Sequence, residues 1–386
     1  MPKERPMRRI AAHYLISNAE IMPRPIVELD DEGRVVSVSE WERLDNIPMT
    51  EFYAGALTAG FVNAHSHVEL SYLRGAIERN TGFGGFARAI GQVRGNFSAQ
   101  ERDVALRGAM AQMWQEGVQA VADIINDTSS LGAKSESPIL WHNFAECFGL
   151  RAELSSVEPL VERCAELGLQ GSLTPHSTYS LQDSVLGEIA QIEKRLSIHF
   201  MESEDESLLY WGSGSLHDWY SRMGWECDFL HHGSPARRLV DVVPKDRRLI
   251  LVHNCCLSEE DYDLLSEHFI HPISWVLCPA SNDYISSLRP PVEMLLKRGA
   301  SIALGTDSLA SNDNLSMLDE IRLLGDVPLA QALRWATLGG AEALGLEDEL
   351  GSVEVGKRPG IVLLEGLCIE HGQLRLTPFT TSRRLL

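Results

Sequence analysis

The chain has 386 residues, 44% of them apolar and 23% charged, ordinary globular usage that excludes a disordered, collagen-like or disulfide-stapled protein. Its formal charge is -20, from 34 Lys and Arg against 54 Asp and Glu, so nucleic acid is not an expected ligand, because phosphate binding needs a basic face. The length fits one large domain with an appendage, or two to three ordinary domains.

The basic N-terminal segment 1–10 runs into His13, Asn18 and Glu20 before an apolar stretch of signal-peptide length can form. The longest apolar runs, such as 249–252, fall far short of the ~20 residues that cross a bilayer. Seven cysteines include the adjacent Cys255 and Cys256 but no C-x-x-C, which suggests neither a disulfide framework nor a thiolate zinc site. A reduced, cytoplasmic protein is expected, with a small-molecule substrate, no membrane or nucleic-acid partner, and a closed homodimer as the commonest symmetric assembly.

Short strand-like stretches at 26–29 and 35–38 flank the turn Asp30-Asp31-Glu32-Gly33. Eight apolar runs follow, at 60–64, 118–124, 139–145, 169–173, 196–199, 249–252, 274–277 and 302–304. Helical periods separate them, as in Val157, Leu160, Val161, Cys164 and Leu167. Capping-box signals at Ser180 to Asp183 and Ser258 to Asp261 predict two helix starts. The C-terminal stretch 351–375 returns to short strands around the turn Gly356-Lys357-Arg358-Pro359-Gly360. Each end is too small to bury a core alone, so both are expected to combine into one small β-sandwich domain.

Strands alternating with helices imply parallel pairing, which suits either a (β/α)8 barrel or a doubly wound open sheet. The placement of polar residues favours the barrel, with segments 1–57 and 346–386 forming the β domain and 58–345 the α/β TIM barrel. His65 and His67 follow the first run, His176 the fourth, His199 the fifth, His253 the sixth and Asp307 the eighth. All fall at C-terminal strand ends, where barrel enzymes build their active sites. Residues two apart share a strand face, so the imidazoles of His65 and His67 can converge on one ion. Glu202, three beyond His199, has the wrong parity for that face, which suits a proton carrier in the following loop or, alternatively, a surface carboxylate of the acidic run 202–206. His142 sits within the third run and is a further candidate near the site.

With these residues in view, the sequence resembles the amidohydrolase superfamily, in its deaminase and chlorohydrolase branch. The resemblance rests on Gly60-Phe61-Val62-Asn63-Ala64-His65-Ser66-His67, Pro175-His176-Ser177, His199-Phe200-Met201-Glu202, His253, Cys278-Pro279-Ala280-Ser281-Asn282 and Leu304-Gly305-Thr306-Asp307-Ser308. It implies a mononuclear site with His65, His67, His199 and Asp307 as metal ligands, Glu202 as acid/base, His253 holding the attacking water or reacting group, and His176 contacting substrate. Asp307 is expected both to bind metal and to share the transferred proton. Such ligands suit one divalent ion, zinc or iron. Dinuclear relatives bridge their metals with a lysine on the fourth strand, and none of the six lysines here lies there.

The implied reaction is hydrolytic deamination of an exocyclic amine on a purine-type ring. The run His67-Val68-Glu69-Leu70-Ser71 resembles the aminodeoxyfutalosine deaminases of menaquinone biosynthesis, which act on an adenine nucleoside. Cleavage of an amide, cyclic ureide or aryl-halide bond by the same activated water is the alternative. Glu69 is expected to accept from sugar hydroxyls or ring nitrogens, and Arg74 to pair with a substrate carboxylate or else to serve the following helix or domain interface. Phe83 and Phe86, in the glycine-rich 81–86, are read either as a mobile lid or as packing at a helix start. Two departures stand out: Ala280 occupies a position that is arginine in much of the branch, and Arg358-Pro359-Gly360 replaces a more usual Ala-Asp turn.

Overall fold

The computed structural model describes residues 8–43 and 49–386. The N-terminal segment supplies β1 (Arg8–Ser17), β2 (Glu20–Pro23), β3 (Pro25–Leu29), β4 (Val35–Glu40) and β5 (Thr50–Ala59). Eight strands follow at the eight expected places: β6 (Phe61–Ser66), β7 (Val118–Ile125), β8 (Leu140–Cys147), β9 (Gln170–Pro175), β10 (Arg195–Phe200), β11 (Arg248–His253), β12 (Ser274–Leu277) and β13 (Ser301–Leu304). The chain ends with β14 (Ile361–Glu365), β15 (Cys368–Glu370), β16 (Gln373–Arg375) and β17 (Thr381–Arg384).

β6 to β9 form one parallel sheet and β10 to β13 another, each in sequence order. Two bridges join them: Ser177 pairs with His199 between β9 and β10, and Ser66 pairs with Asp307 beyond β13. At the second seam the amides of Thr306 and Asp307 donate to the His65 carbonyl at 3.0 and 3.1 Å. Alternate residues sort into separate cores, as the two-residue period of a strand requires. Val62, Ala64, Ile250, Val252, Val276 and Ala303 share one, while Phe61, Leu249, Leu251, Trp275, Leu277, Ile302 and Leu304 share the other. Both faces are covered, as parallel sheets demand.

The two ends of the chain meet in one seven-stranded sheet of order β17-β14-β5-β1-β3-β4, with β2 on β1, and β15 and β16 make a separate hairpin. β5 runs through the expected boundary at residue 57 into Ala59. Of segment 1–57, residues 1–7 and 44–48 lie outside the described residues. The turn at Gly356 and Gly360 docks here, with the Gly60 amide donating to the Pro359 carbonyl at 2.9 Å.

Of the two expected N-caps, one forms and one does not. Ser258 accepts from the Asp261 amide and starts the helix Glu259–His268. Ser180 caps nothing: its hydroxyl meets His176 Nδ1 at 3.1 Å and the Ser177 hydroxyl at 2.8 Å. The helix Asp183–Ile192 has Gln182 at its N-cap, and the Asp228 carboxylate takes the Asp183 amide at 3.0 Å. A tertiary carboxylate has displaced the local cap. Among the described residues, no helix is long and apolar enough to cross a membrane.

Candidate metal centre

The strand ends carry their polar side chains on strained backbone. Met201, His253, Asn254 and Asp307 have φ of 48°, 78°, 59° and 53°, a left-handed conformation that costs of order 1–3 kcal/mol per residue and concentrates at functional sites. Neighbouring strands hold it in place: the Asn254 amide donates to Phe200 O at 3.0 Å and the Cys256 amide to Met201 O at 2.9 Å.

His65, His67, His199 and Asp307 come together from β6, β10 and the turn after β13. His67 Nε2 lies 3.2 Å from His199 Nε2, and Asp307 Oδ1 lies 3.6 Å from His67 Nε2 and 3.8 Å from His65 Nε2. Ligands about 2.0–2.1 Å from a tetrahedral ion stand about 3.4 Å apart, close to this spacing. His65 is fully buried, yet neither ring nitrogen has a hydrogen-bond partner, a cost that a cation at Nε2 would remove for that nitrogen. His199 Nδ1 donates to the His176 carbonyl at 2.9 Å, which fixes the tautomer and leaves Nε2 free as a lone-pair donor. Ser281 and Ser311 hydroxyls donate to Asp307 Oδ2 at 2.6 and 2.8 Å, leaving Oδ1 turned to the imidazoles.

Protonation states fit the same donor set. Burial, with the neighbouring imidazoles, drives His65 well below its ordinary value, and burial takes His67 down to about 3 despite Asp307. Burial pushes Asp307 up, but His67, His253 and the Ser281 hydroxyl outweigh it and hold the carboxyl below its usual range. Neutral imidazoles and an ionised carboxylate are the forms that bind a divalent ion.

Glu202 is buried in the loop beyond β10, with Oε1 3.9 Å from His253 Nε2. Burial raises its pKa to about 7, His199 pulling down and Asp307 pushing up. It is not a surface carboxylate. Asn282 Nδ2 lies 3.0 Å from His253 Nδ1, a contact in which the amide donates and Nε2 carries the imidazole proton toward Glu202. His176 stacks on His199 with centroids 4.7 Å apart, and its outer side meets Phe148 edge-on at 4.6 Å.

The substrate-side expectations land unevenly. The Glu69 carboxylate accepts from the Asn126 amide at 3.2 and 3.3 Å, and burial raises it to about 8. Arg74 is exposed, in a cleft of about 530 Å³ with Tyr72, Phe97, Glu101 and Leu309. Phe83 and Phe86 lie in the helix Gly82–Val93; Phe83 packs edge-on to Tyr179 at 5.7 Å, and Phe86 joins the cluster around Tyr72 and Leu73. His142 sits early in β8, stacked on Phe144 and bonded to the Ser172 hydroxyl, five residues short of the strand end at Cys147.

Two buried carboxylates on the strands β7 and β8 escaped the sequence reading. Glu146, near the end of β8, directs Oε1 to within 3.6 Å of His199 Nδ1. Asp123, on β7, accepts from the Val68 amide at 2.9 Å and from Lys134 Nζ at 2.5 Å, and Lys134 is itself 1% exposed. Asp123 interrupts the second apolar run, 118–124, and Glu146 stands one residue past the third, 139–145; a charged residue in or just beyond a strand run is the signal that finds both.

The model of the amidohydrolase family matches residues 56–384. The 5-methylthioadenosine/S-adenosylhomocysteine deaminase of Thermoanaerobacter pseudethanolicus is 29% identical over 334 residues, 80% of this chain and 73% of that one. The crystal structure of Helicobacter pylori aminofutalosine deaminase in complex with methylthio-coformycin superposes with a TM-score of 0.79 at 26% identity, covering 92% of each chain. An adenosine deaminase from Xanthomonas campestris, with bound zinc, gives 0.74 at 24% identity over 92% of this chain and 84% of that one, a likeness of fold. Family and structural likeness together imply a TIM-barrel fold.

Proposed function

The chain belongs to the amidohydrolase family and is a metal-dependent hydrolytic enzyme acting on C–N bonds; from that footing we propose that it deaminates the exocyclic amine of an adenine nucleoside, aminodeoxyfutalosine being the best-supported candidate. The observation that carries the proposal is the buried, unpartnered His65 ring set among His67, His199 and Asp307 donors at metal-ligand spacing. These four residues are proposed to hold one divalent ion, zinc or iron. We take the architecture to be a closed (β/α)8 barrel over 58–345, with a small β-sandwich domain from 1–57 and 346–386.

When bound, the cation lowers the pKa of water from about 15.7 toward about 7. Glu202 is proposed to accept the water proton on its carboxylate and deliver it to the leaving nitrogen, a role that contributes about 10² to 10⁴ in rate. A carboxyl with a pKa of about 7 is suited to both halves of that transfer at neutral pH. His253 Nε2, protonated and 3.9 Å from Glu202, orients the attacking water and donates to the oxygen that develops negative charge. Asp307, anchored by two serine hydroxyls, shares the proton on the far side. His176, with one face against His199, contacts the ring system.

The adenine nucleoside assignment draws on the Helicobacter pylori enzyme, whose structure holds a nucleoside analogue, and on relatives named for methylthioadenosine and S-adenosylhomocysteine. The test is an ammonia-release panel with zinc-loaded and iron-loaded protein on aminodeoxyfutalosine, methylthioadenosine, S-adenosylhomocysteine, adenosine, guanine, cytosine and triazines. Ammonia confined to 5'-substituted adenosines supports the proposal. Turnover of triazines or guanine alone contradicts it.

A further inference from the structure

Glu146 has no part in the chemistry described above, yet it is among the least ordinary groups of the site. It is 6% exposed, its Oε2 accepts from Asn126 Nδ2 at 3.0 Å, and its Oε1 has no partner. An unmet buried acceptor costs free energy unless a ligand completes it. The nearest donor, His199 Nδ1, lies 3.6 Å from Oε1 but already gives its proton to the His176 carbonyl at 2.9 Å. Glu146 is therefore not needed to set the tautomer of His199.

The three imidazoles give the site a direction. His199 stands between His176, stacked at 4.7 Å, and His253, stacked at 5.5 Å. Glu202 lies on the His253 side, where the reacting carbon must sit. Glu146 groups with His176 and His199, their ligand atoms within 4.8 Å of one another, and so faces the end of the substrate remote from the amine. Asn126 extends this wall: its side-chain amide holds Glu146, and its backbone amide holds Glu69. Two carboxylates joined through one asparagine present acceptors on the same wall. A second metal ion is the poorer occupant, since His199 commits Nε2 to the first centre and the Nδ1 proton to a carbonyl, and His176 Nδ1 meets the Ser180 hydroxyl.

We propose that Glu146 is a specificity-determining residue that accepts a hydrogen bond from a sugar hydroxyl of the substrate, beside Glu69. This makes the enzyme selective for ribosides over deoxyribosides. The inference rests on the adenine nucleoside reading and names which part of that nucleoside the remote end of the site recognises. Hydrogen bonds to a charged or buried carboxyl are the stronger kind, so loss of the hydroxyl lowers kcat/KM by about 10- to 100-fold.

The test compares the zinc-loaded wild type with Glu146→Gln and Glu146→Asp on adenosine, 2'-deoxyadenosine and 3'-deoxyadenosine, with zinc content measured alongside. The glutamine keeps an acceptor for Asn126 and replaces the free oxygen with a donor; the aspartate keeps the charge and shortens the reach. The wild type is expected to favour adenosine over at least one deoxy analogue by about 10- to 100-fold, and both variants to narrow that preference to about threefold or less at unchanged zinc content. Preference retained in both variants overturns the inference. So does an equal loss on all three nucleosides together with lost zinc, which would make Glu146 a positioning residue for His199. Where only 5'-substituted adenosines react, the same comparison is read on methylthioadenosine and its 2'- and 3'-deoxy analogues; if the wild type releases ammonia neither from the three nucleosides nor from any 5'-substituted adenosine, it is the nucleoside reading that falls.

Discussion

Gly305 is the tightest test of how the histidines proposed to bind metal are placed. A Cβ built on it would stand 2.8 Å from His65 Cβ and 2.9 Å from the backbone N and O of His65. Ordinary contact begins at 3.4 Å, so Gly305→Ala requires β6 and the turn after β13 to separate by roughly 0.6 Å. Neither side yields cheaply, because the amides of Thr306 and Asp307 bind the carbonyl of that same His65. The imidazole and Oδ1 of Asp307 would be pulled apart by a comparable amount. A misplacement near 1 Å costs on the order of 100-fold in rate, and an overpacked core costs about 1–3 kcal/mol. We expect Gly305→Ala to fold, to bind zinc at least tenfold more weakly, and to lose about 30- to 100-fold in kcat/KM. Metal titration against a competing chelator and an ammonia assay at saturating zinc read the two effects separately. A variant within twofold of wild type in both would refute the reasoning that this glycine sets the ligand spacing.

Glu202→Gln should keep its metal and lose about 10² to 10⁴ in kcat, read by metal content and steady-state kinetics; near-normal turnover with bound metal removes Glu202 from the mechanism. Because burial raises the Glu202 pKa to about 7, the acid limb of kcat/KM should rise as pH passes through about 7, well above the ordinary range of a carboxylate. Lys134→Met, which strands Asp123 in the interior, should destabilise by about 3–5 kcal/mol in chemical denaturation, with much of that recovered in Lys134→Met/Asp123→Leu. Glu206 is buried and raised to about 8 chiefly by desolvation. Its folded form binds a proton more tightly than the unfolded chain does, so its contribution is present below about pH 4.5 and is lost as pH rises to about 8, with a slope of up to about 1.4 kcal/mol per unit. Denaturation across that window should show a shallower decline in Glu206→Gln.

The parallel strands were legible because each apolar run is short, continuous and bounded by helical periods; every one of the eight was recovered with its ends shifted by no more than two residues. The cluster of His65, His67, His199 and Asp307 was legible because these residues stand at one end of those runs, where an apolar strand has no reason to carry them. Glu146 and Asp123 were not legible because each lies inside the strand it belongs to, beside Cys147 and Ile124, and looks from sequence like an interruption of a core strand. Their roles depend on partners distant in the chain, His199 for one and Lys134 for the other. The failed cap at Ser180 has the same origin: a local pattern yielded to Asp228, 45 residues away from Asp183. Arg74, read from its nearness to His67, lies in an exposed cleft beside Phe97 and Glu101, because the 3-10 turn Val68–Leu73 carries the chain away before reaching it.

Anomalous diffraction at the zinc edge from crystals of the metal-loaded protein tests the central claim most directly. One peak at full occupancy, about 2.0–2.2 Å from His65, His67, His199 and Asp307, is the predicted result. A peak bound by other residues, or none after loading, contradicts it.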